Sequence, residues 1–127
     1  MKLSIDRQEK KGHFGGTYYE SSIQLTLTKE EEKVADKLDL DSKLLFDYNR
    51  SQTDEDVLST IGMAKIDLTL RELKNGIIAK CNGDADLHRL ALAENSIRSK
   101  CKDIKAAVDS YIASKEAINQ GKYEEEL

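Results

Sequence analysis

Toward the end of the chain every seventh residue is apolar: Leu90, Ile97, Ile104, Tyr111 and Ile118. A second column, four residues out of phase, runs Leu87, Glu94, Cys101, Val108 and Lys115. Seven-residue spacing keeps one narrow stripe in line along a helix, where a 3.6-residue repeat would let it wander around the surface. A long helix is therefore predicted from Ala85 to about Asn119, with Asp84 as its cap and Gly121 as its stop signal. At ~1.5 Å per residue it extends about 50 Å, more than a small sheet covers. No other segment predicts a helix of that length, so the stripe is expected to meet a copy of itself in a homodimer.

Earlier in the chain the period is two. Leu3 and Ile5 alternate with polar residues, as do Tyr19, Ser21, Ile23, Leu25 and Leu27, and Gly12-His13-Phe14-Gly15-Gly16 lies between them. Two strands joined by a glycine-rich turn follow. Thr28 and Glu31 have the spacing of a capping box, and Val34 and Leu38 supply one apolar face, so a short helix is predicted over about Lys29 to Lys37. Ser42 to Asn49 reads as a third strand, with Leu44, Phe46 and Tyr48 on one face and Leu45 on the other. Thr53 with Asp56 predicts a helical turn within Asp54 to Ile61. Ile66, Leu68 and Leu70 alternate with Lys65, Asp67 and Thr69 as in a strand, and Arg71 to Lys74 is open to one helical turn. Asn75-Gly76 marks a turn, and Ile77 to Cys81 a last short strand. Strands first and one long helix last define an α+β fold. A small antiparallel sheet with an N-terminal hairpin, one short helix and a long C-terminal helix that mediates dimerisation make a single domain over residues 1–127.

Composition narrows the class. With 127 residues, 39% hydrophobic and 35% charged, the chain supports a modest core under a heavily solvated surface. It has no long apolar run and no charged-then-apolar leader, so neither a membrane span nor a signal peptide is expected, and the expected compartment is the cytoplasm. In that compartment Cys81 and Cys101 are expected to be small buried hydrophobes rather than a disulfide. The net charge of −4 is unevenly placed: Lys2, Arg7, Lys10, Lys11 and His13 crowd the hairpin, while Glu124, Glu125 and Glu126 crowd the end. A mildly acidic total argues against salt-driven duplex binding, so nucleic acid is not an expected partner.

Little in the chain points to catalysis. His13 and His88 stand apart, and no paired histidines, paired cysteines, nucleophile elbow or phosphate loop is present. Cys81 with His88 has no spacing that marks a thiol–imidazole pair. No enzyme activity, metal or cofactor is expected. Two segments are candidates for ligand binding. Phe14-Gly15-Gly16, with Lys10 and Lys11 close by, is either a loop that faces phosphate through its backbone or a plain hairpin turn. On the long helix Glu94 interrupts an apolar column, and Asn95, Arg98 and Lys102 line the adjoining face, with His88 and Arg89 one to two turns earlier. Such an interruption either holds a polar ligand, pairs Glu94 with Arg98 on a solvated face, or sets the register of a seam.

The run Asn75 to Cys81, followed by Leu87, Glu94, Ile97, Cys101 and Lys105, resembles the Thoeris anti-defence sponges, small bacteriophage proteins that sequester cyclic ADP-ribose signals made by a host defence system. The segment Leu27 to Glu32 entering a helix, after a strand hairpin, resembles their layout as well. The resemblance implies a non-enzymatic protein of the host cytoplasm, a helix-mediated dimer able to assemble further, and a pocket at the subunit boundary. Such a pocket would stack an adenine on an aromatic ring and clamp phosphates with arginines. This chain departs from that pattern, since beyond Lys80 it has only Arg89 and Arg98 and no phenylalanine. The stacking ring would have to be Tyr111, Tyr123, Phe14, Tyr18 or Tyr19. The expected ligand set is thus His88, Arg89, Asn95, Arg98, Lys102, Phe14, Gly15, Gly16 and Tyr111. The alternative is a helical dimer that blocks a macromolecular host partner.

Overall fold

The computed structural model describes residues 1–46, 68–119, 121, 125 and 126. Strands β1 (Lys2–Lys11) and β2 (Thr17–Thr26) form the hairpin, pairing Leu3 with Leu25 and Ile5 with Ile23. Strand β5 (Ile77–Asn82) pairs antiparallel along the other edge of β2, so the three-stranded sheet has the order β1-β2-β5. Alternation then divides its faces. Leu3, Ile5, Ser21, Ile23, Leu25, Ala79 and Cys81 lie on one side, and Ser4, Asp6, Ser22, Gln24, Ile78 and Lys80 are exposed on the other.

Helix α1 (Lys29–Lys37) begins as its sequence predicts. The Thr28 side chain accepts from the Glu31 N–H at 3.2 Å, and the Glu31 carboxylate accepts from the Thr28 N–H at 2.9 Å. The reciprocal bonds satisfy two N–H groups that the first turn would leave open. Val34 and Ala35 are buried beneath it.

Between α1 and β5, strands β3 (Leu44–Phe46) and β4 (Leu68–Thr69) form a separate antiparallel pair. The register shifts between Leu44 and Phe46, leaving Leu45 as an extra residue in the strand. Leu44 is exposed while Phe46 is buried, which departs from the expected single face. The strand expected through Leu70 stops at Thr69, whose hydroxyl accepts from the Glu72 N–H at 3.4 Å and opens helix α2 (Leu70–Asn75). The single helical turn is thus the outcome for Arg71 to Lys74, and Gly76, at φ 92°, closes it. Tyr48, the Thr53–Asp56 signal with the turn over Asp54 to Ile61, and Lys65 to Asp67 lie outside the described residues.

Helix α3 (Leu87–Asn119) has 33 residues and crosses the inner face of the sheet. A 3-10 turn over Asp84–Asp86 precedes it. The Asp84 carboxylate, expected as a helix cap, accepts from the Tyr19 hydroxyl at 2.5 Å, which pushes the phenol up to about 12. The most consequential correction concerns the heptad. Leu90, Ala93, Ile97, Cys101, Ile104 and Val108 are all buried within this one chain, against the sheet, α1 and α2. The apolar face of the sheet takes up the stripe that was expected to meet a second subunit. Only the far end escapes: Tyr111 is half-buried and Ile118 is 79% exposed. No helix among the described residues is long and apolar enough to cross a membrane.

Candidate functional site

The polar interruption in the stripe finds its partners inside the chain. Glu94 is 3% exposed, and its carboxylate accepts both Nε and Nη2 of Arg7 and, at 2.8 Å, the Ser21 hydroxyl. Arg7 and Ser21 sit directly opposite one another on β1 and β2, so one carboxylate ties the helix to both strands. The hydrogen bond to Glu94 raises the Arg7 guanidinium above its ordinary value, against partial burial. Both Glu94 oxygens are engaged within the chain, by Arg7 and Ser21 rather than by Arg98. Arg7 and Ser21 carry no motif that links them to Glu94; opposite placement on paired strands was the one available signal.

The expected ligand set is divided among four places. Phe14 stands fully exposed at the hairpin tip. The glycine turn there is closed on itself: the Gly12 N–H donates to the Gly16 carbonyl at 2.7 Å and the Gly15 N–H to the Gly12 carbonyl at 3.1 Å. Gly15, at φ 81°, serves the turn, and its N–H is not offered to phosphate. Asn95, Arg98 and Lys102 are exposed beside the opposite end of the hairpin, where Arg98 and Lys102 line a groove of about 180 Å³ with Met1, Leu3 and Leu25. Ten residues of strand, at ~3.4 Å each, put about 30 Å between that groove and Phe14. His88 and Arg89 are exposed on the first turn of α3.

Tyr111 belongs to a fourth place, roomier than the groove beside Met1. Helix α1 and the distal turns of α3 enclose a groove of about 500 Å³, lined by Glu30, Lys33, Val34, Asp36, Lys37, Tyr111, Ile112, Lys115 and Glu116. Its floor is apolar and its rim is charged. Lys37 and Lys115 both line the groove, and a side-chain hydrogen bond with Lys37, then its like charge, lower the Lys115 ammonium below its ordinary value. On the α1 side, Asp36 is raised, through a hydrogen bond its protonated form donates to Asp41 and then by burial and the Asp41 charge, while Asp41 is held low by Lys74 at 2.6 Å. The carboxylate that faces the groove is thus the one of the pair that protonates more readily. Two crowded ammoniums beside a tyrosine ring make a place where an added anion relieves repulsion.

The thiols carry no chemistry of their own. Cys81 and Cys101 are free and buried, and burial pushes both up, Cys101 to about 11. Such thiols are poor nucleophiles, and the direction is opposite to an activated Cys81–His88 pair. Among the described residues, no group of three or more His, Cys, Asp or Glu side chains is placed to hold a metal ion. Compared with protein-family models, with curated proteins and with solved structures, the chain has no match.

Proposed function

We propose that this protein binds and sequesters a phosphorylated small molecule of nucleotide size, without turning it over, in the groove between α1 and the distal part of α3. The reading rests on one observation, the Lys37–Lys115 pair beside Tyr111 in a groove of about 500 Å³. Ligand sites generally run from about 300 to 1,000 Å³ with an apolar lining and few polar groups, and this groove falls in that range. A phosphate between the two ammoniums gains charge-assisted hydrogen bonds, and a base lies against the Tyr111 ring. Lysines replace the arginine clamp expected from the sponge resemblance, so the phosphate is held as a point charge rather than through a planar fork. A cyclic ADP-ribose immune signal of the glycosylated type is the ligand this resemblance nominates, and its sequestration would silence an antiphage defence.

Thermal shift against cyclic ADP-ribose derivatives, cyclic dinucleotides and plain nucleotides tests the proposal. The expected result is a rise in melting temperature with one cyclic ADP-ribose compound, lost in Lys37→Ala/Lys115→Ala and weakened at least tenfold in Tyr111→Ala. Heating the complex should then release the signal intact. Release of a degraded product would make the protein an enzyme, and no shift with any compound would end the proposal.

A further inference from the structure

A second groove lies apart from the first, between the sheet and the middle of α3. Its floor is Met1, Leu3, Leu25 and Cys101, and its rim is Arg98, Lys102 and Lys105. Strand β1 runs beside it as an edge of the sheet, paired among the described residues with β2 alone. Among the described residues no backbone hydrogen bond reaches the far edge of β1 from another element. Alternate residues of an antiparallel strand turn their N–H and C=O groups away from the partner, so this edge presents a row of open donors and acceptors. Strand β1 has ten residues, contains no proline and pairs with β2 without a bulge, so what guards this edge is charge, from Lys2, Lys10 and Lys11.

We infer that this groove is a docking site for an extended acidic peptide of another protein, which adds to β1 as a further strand and sets its acidic side chains on Arg98, Lys102 and Lys105. Backbone pairing to an exposed edge supplies affinity without sequence preference, and the flanking helix supplies the preference. The spacings agree. Arg98 and Lys102 are separated by about 6 Å along the helix axis, at ~1.5 Å per residue, and alternate side chains of a strand by about 6.8 Å. Carboxylates two residues apart in the peptide therefore reach successive cations, with an apolar side chain on the same face covering Leu3 and Met1. The cations are available for exchange. Arg98 donates to Asn95 at 3.1 Å and Lys105 pairs with Asp109 at 3.1 Å, both as exposed neighbours on the same helix. Exposed local pairs of that kind contribute little and yield to a better partner.

Charge selects the occupant. A second copy pairing antiparallel through its own β1 would bring Lys10 and Lys11 toward the Arg98–Lys105 rim, against like charge, with Asp6 and Glu9 nearer the middle of that strand. An acidic strand meets the opposite condition. The inference goes beyond nucleotide sequestration, uses none of the residues of the α1–α3 groove, and stands or falls separately from it.

Fluorescence anisotropy with the full chain tests it, using a labelled eight-residue peptide that carries Glu, Leu and Glu at successive alternate positions with Thr between. Saturable binding is expected below about 1 mM. It should weaken at least tenfold in Arg98→Glu/Lys102→Glu, and as much when the peptide's alternate amides are N-methylated against the unaltered protein. A peptide with Lys for Glu should not bind, and Lys37→Ala/Lys115→Ala should change nothing. Equal binding of the Lys peptide, indifference to N-methylation, indifference to charge reversal, or no binding at all each overturns the inference. A dimer that forms through β1 in place of peptide binding overturns it too.

Discussion

The two ends of α3 carry the same seven-residue pattern and meet different fates. From Leu90 to Val108 the stripe lies under the sheet and its apolar members are all but removed from water. From Tyr111 onward the helix outruns the sheet, lines a groove with α1, and leaves Ile118 in solvent. The first part is a structural layer and the second forms one wall of a groove. Helical periodicity reports that a stripe will be covered; it carries no information on which surface covers it. A one-layer sheet and a second subunit make the same demand of the helix.

The sharpest way to break the contrast is to truncate one apolar residue at each end. Ile97→Ala is expected to cost about 4 kcal/mol by the lost transfer energy and the cavity left behind. Ile118→Ala is expected to stay within about 0.5 kcal/mol, as exposed substitutions do. Urea unfolding measures both. A large loss for Ile118→Ala, growing with protein concentration, would restore the distal stripe as a subunit interface.

The polar tie in the buried part gives the next largest effect. Arg7→Ala leaves the Glu94 carboxylate buried with only Ser21 as partner, and about 3 kcal/mol of stability should be lost. Glu94→Leu should cost far less, because the Arg7 side chain is 38% exposed and can turn to water. Equal losses in the two variants would mean that the pair contributes as a unit and not through the burial of one charge. At the start of α1, Thr28→Ala removes the capping acceptor and should cost about 1 kcal/mol.

The smallest effect belongs to the groove. Lys115 is held below its ordinary pKa by Lys37, so the folded chain binds fewer protons there than the unfolded chain. Stability from this group is therefore lowest where both ammoniums are charged and rises as pH climbs through the folded pKa. Lys115→Ala should raise the melting temperature slightly at neutral pH and flatten that rise. If the variant melts lower instead, the two ammoniums do not repel one another. At the opposite sign, Cys101 has a folded pKa raised to about 11, above the ordinary thiol value. Its contribution is complete below the unfolded pKa and is lost as pH rises through the folded one, a fall that Cys101→Ala should abolish.

Local signals were the legible ones. The Thr28–Glu31 box, the alternation of Leu3 and Ile5 with Leu25 and Ile23, the Asn75-Gly76 turn and the long helix all depend on neighbours within a few residues, and each is present. Leu70 was misplaced because Thr69 and Glu72 compete locally for a helix start against an alternating pattern, and the cap prevails. Asp84 reads as a cap from sequence, yet Tyr19, far along the chain, takes its carboxylate. Of the expected ligand residues, Gly15 spends its N–H in the turn, while Tyr111 joins Lys37 and Lys115 only because α1 lies against α3. Those lysines belong to separate helices and have no shared spacing by which sequence could join them.

The heptad, taken from sequence alone, determined that a long helix would form and that one stripe of it would be covered, since periodicity and helix termini are properties of adjacent residues. The tertiary structure decided what covers the stripe, that Glu94 would face Arg7 and Ser21, and that the helix would outreach its sheet. Those outcomes turn on which surfaces lose the most water together, and burial is shared between segments that the sequence holds far apart.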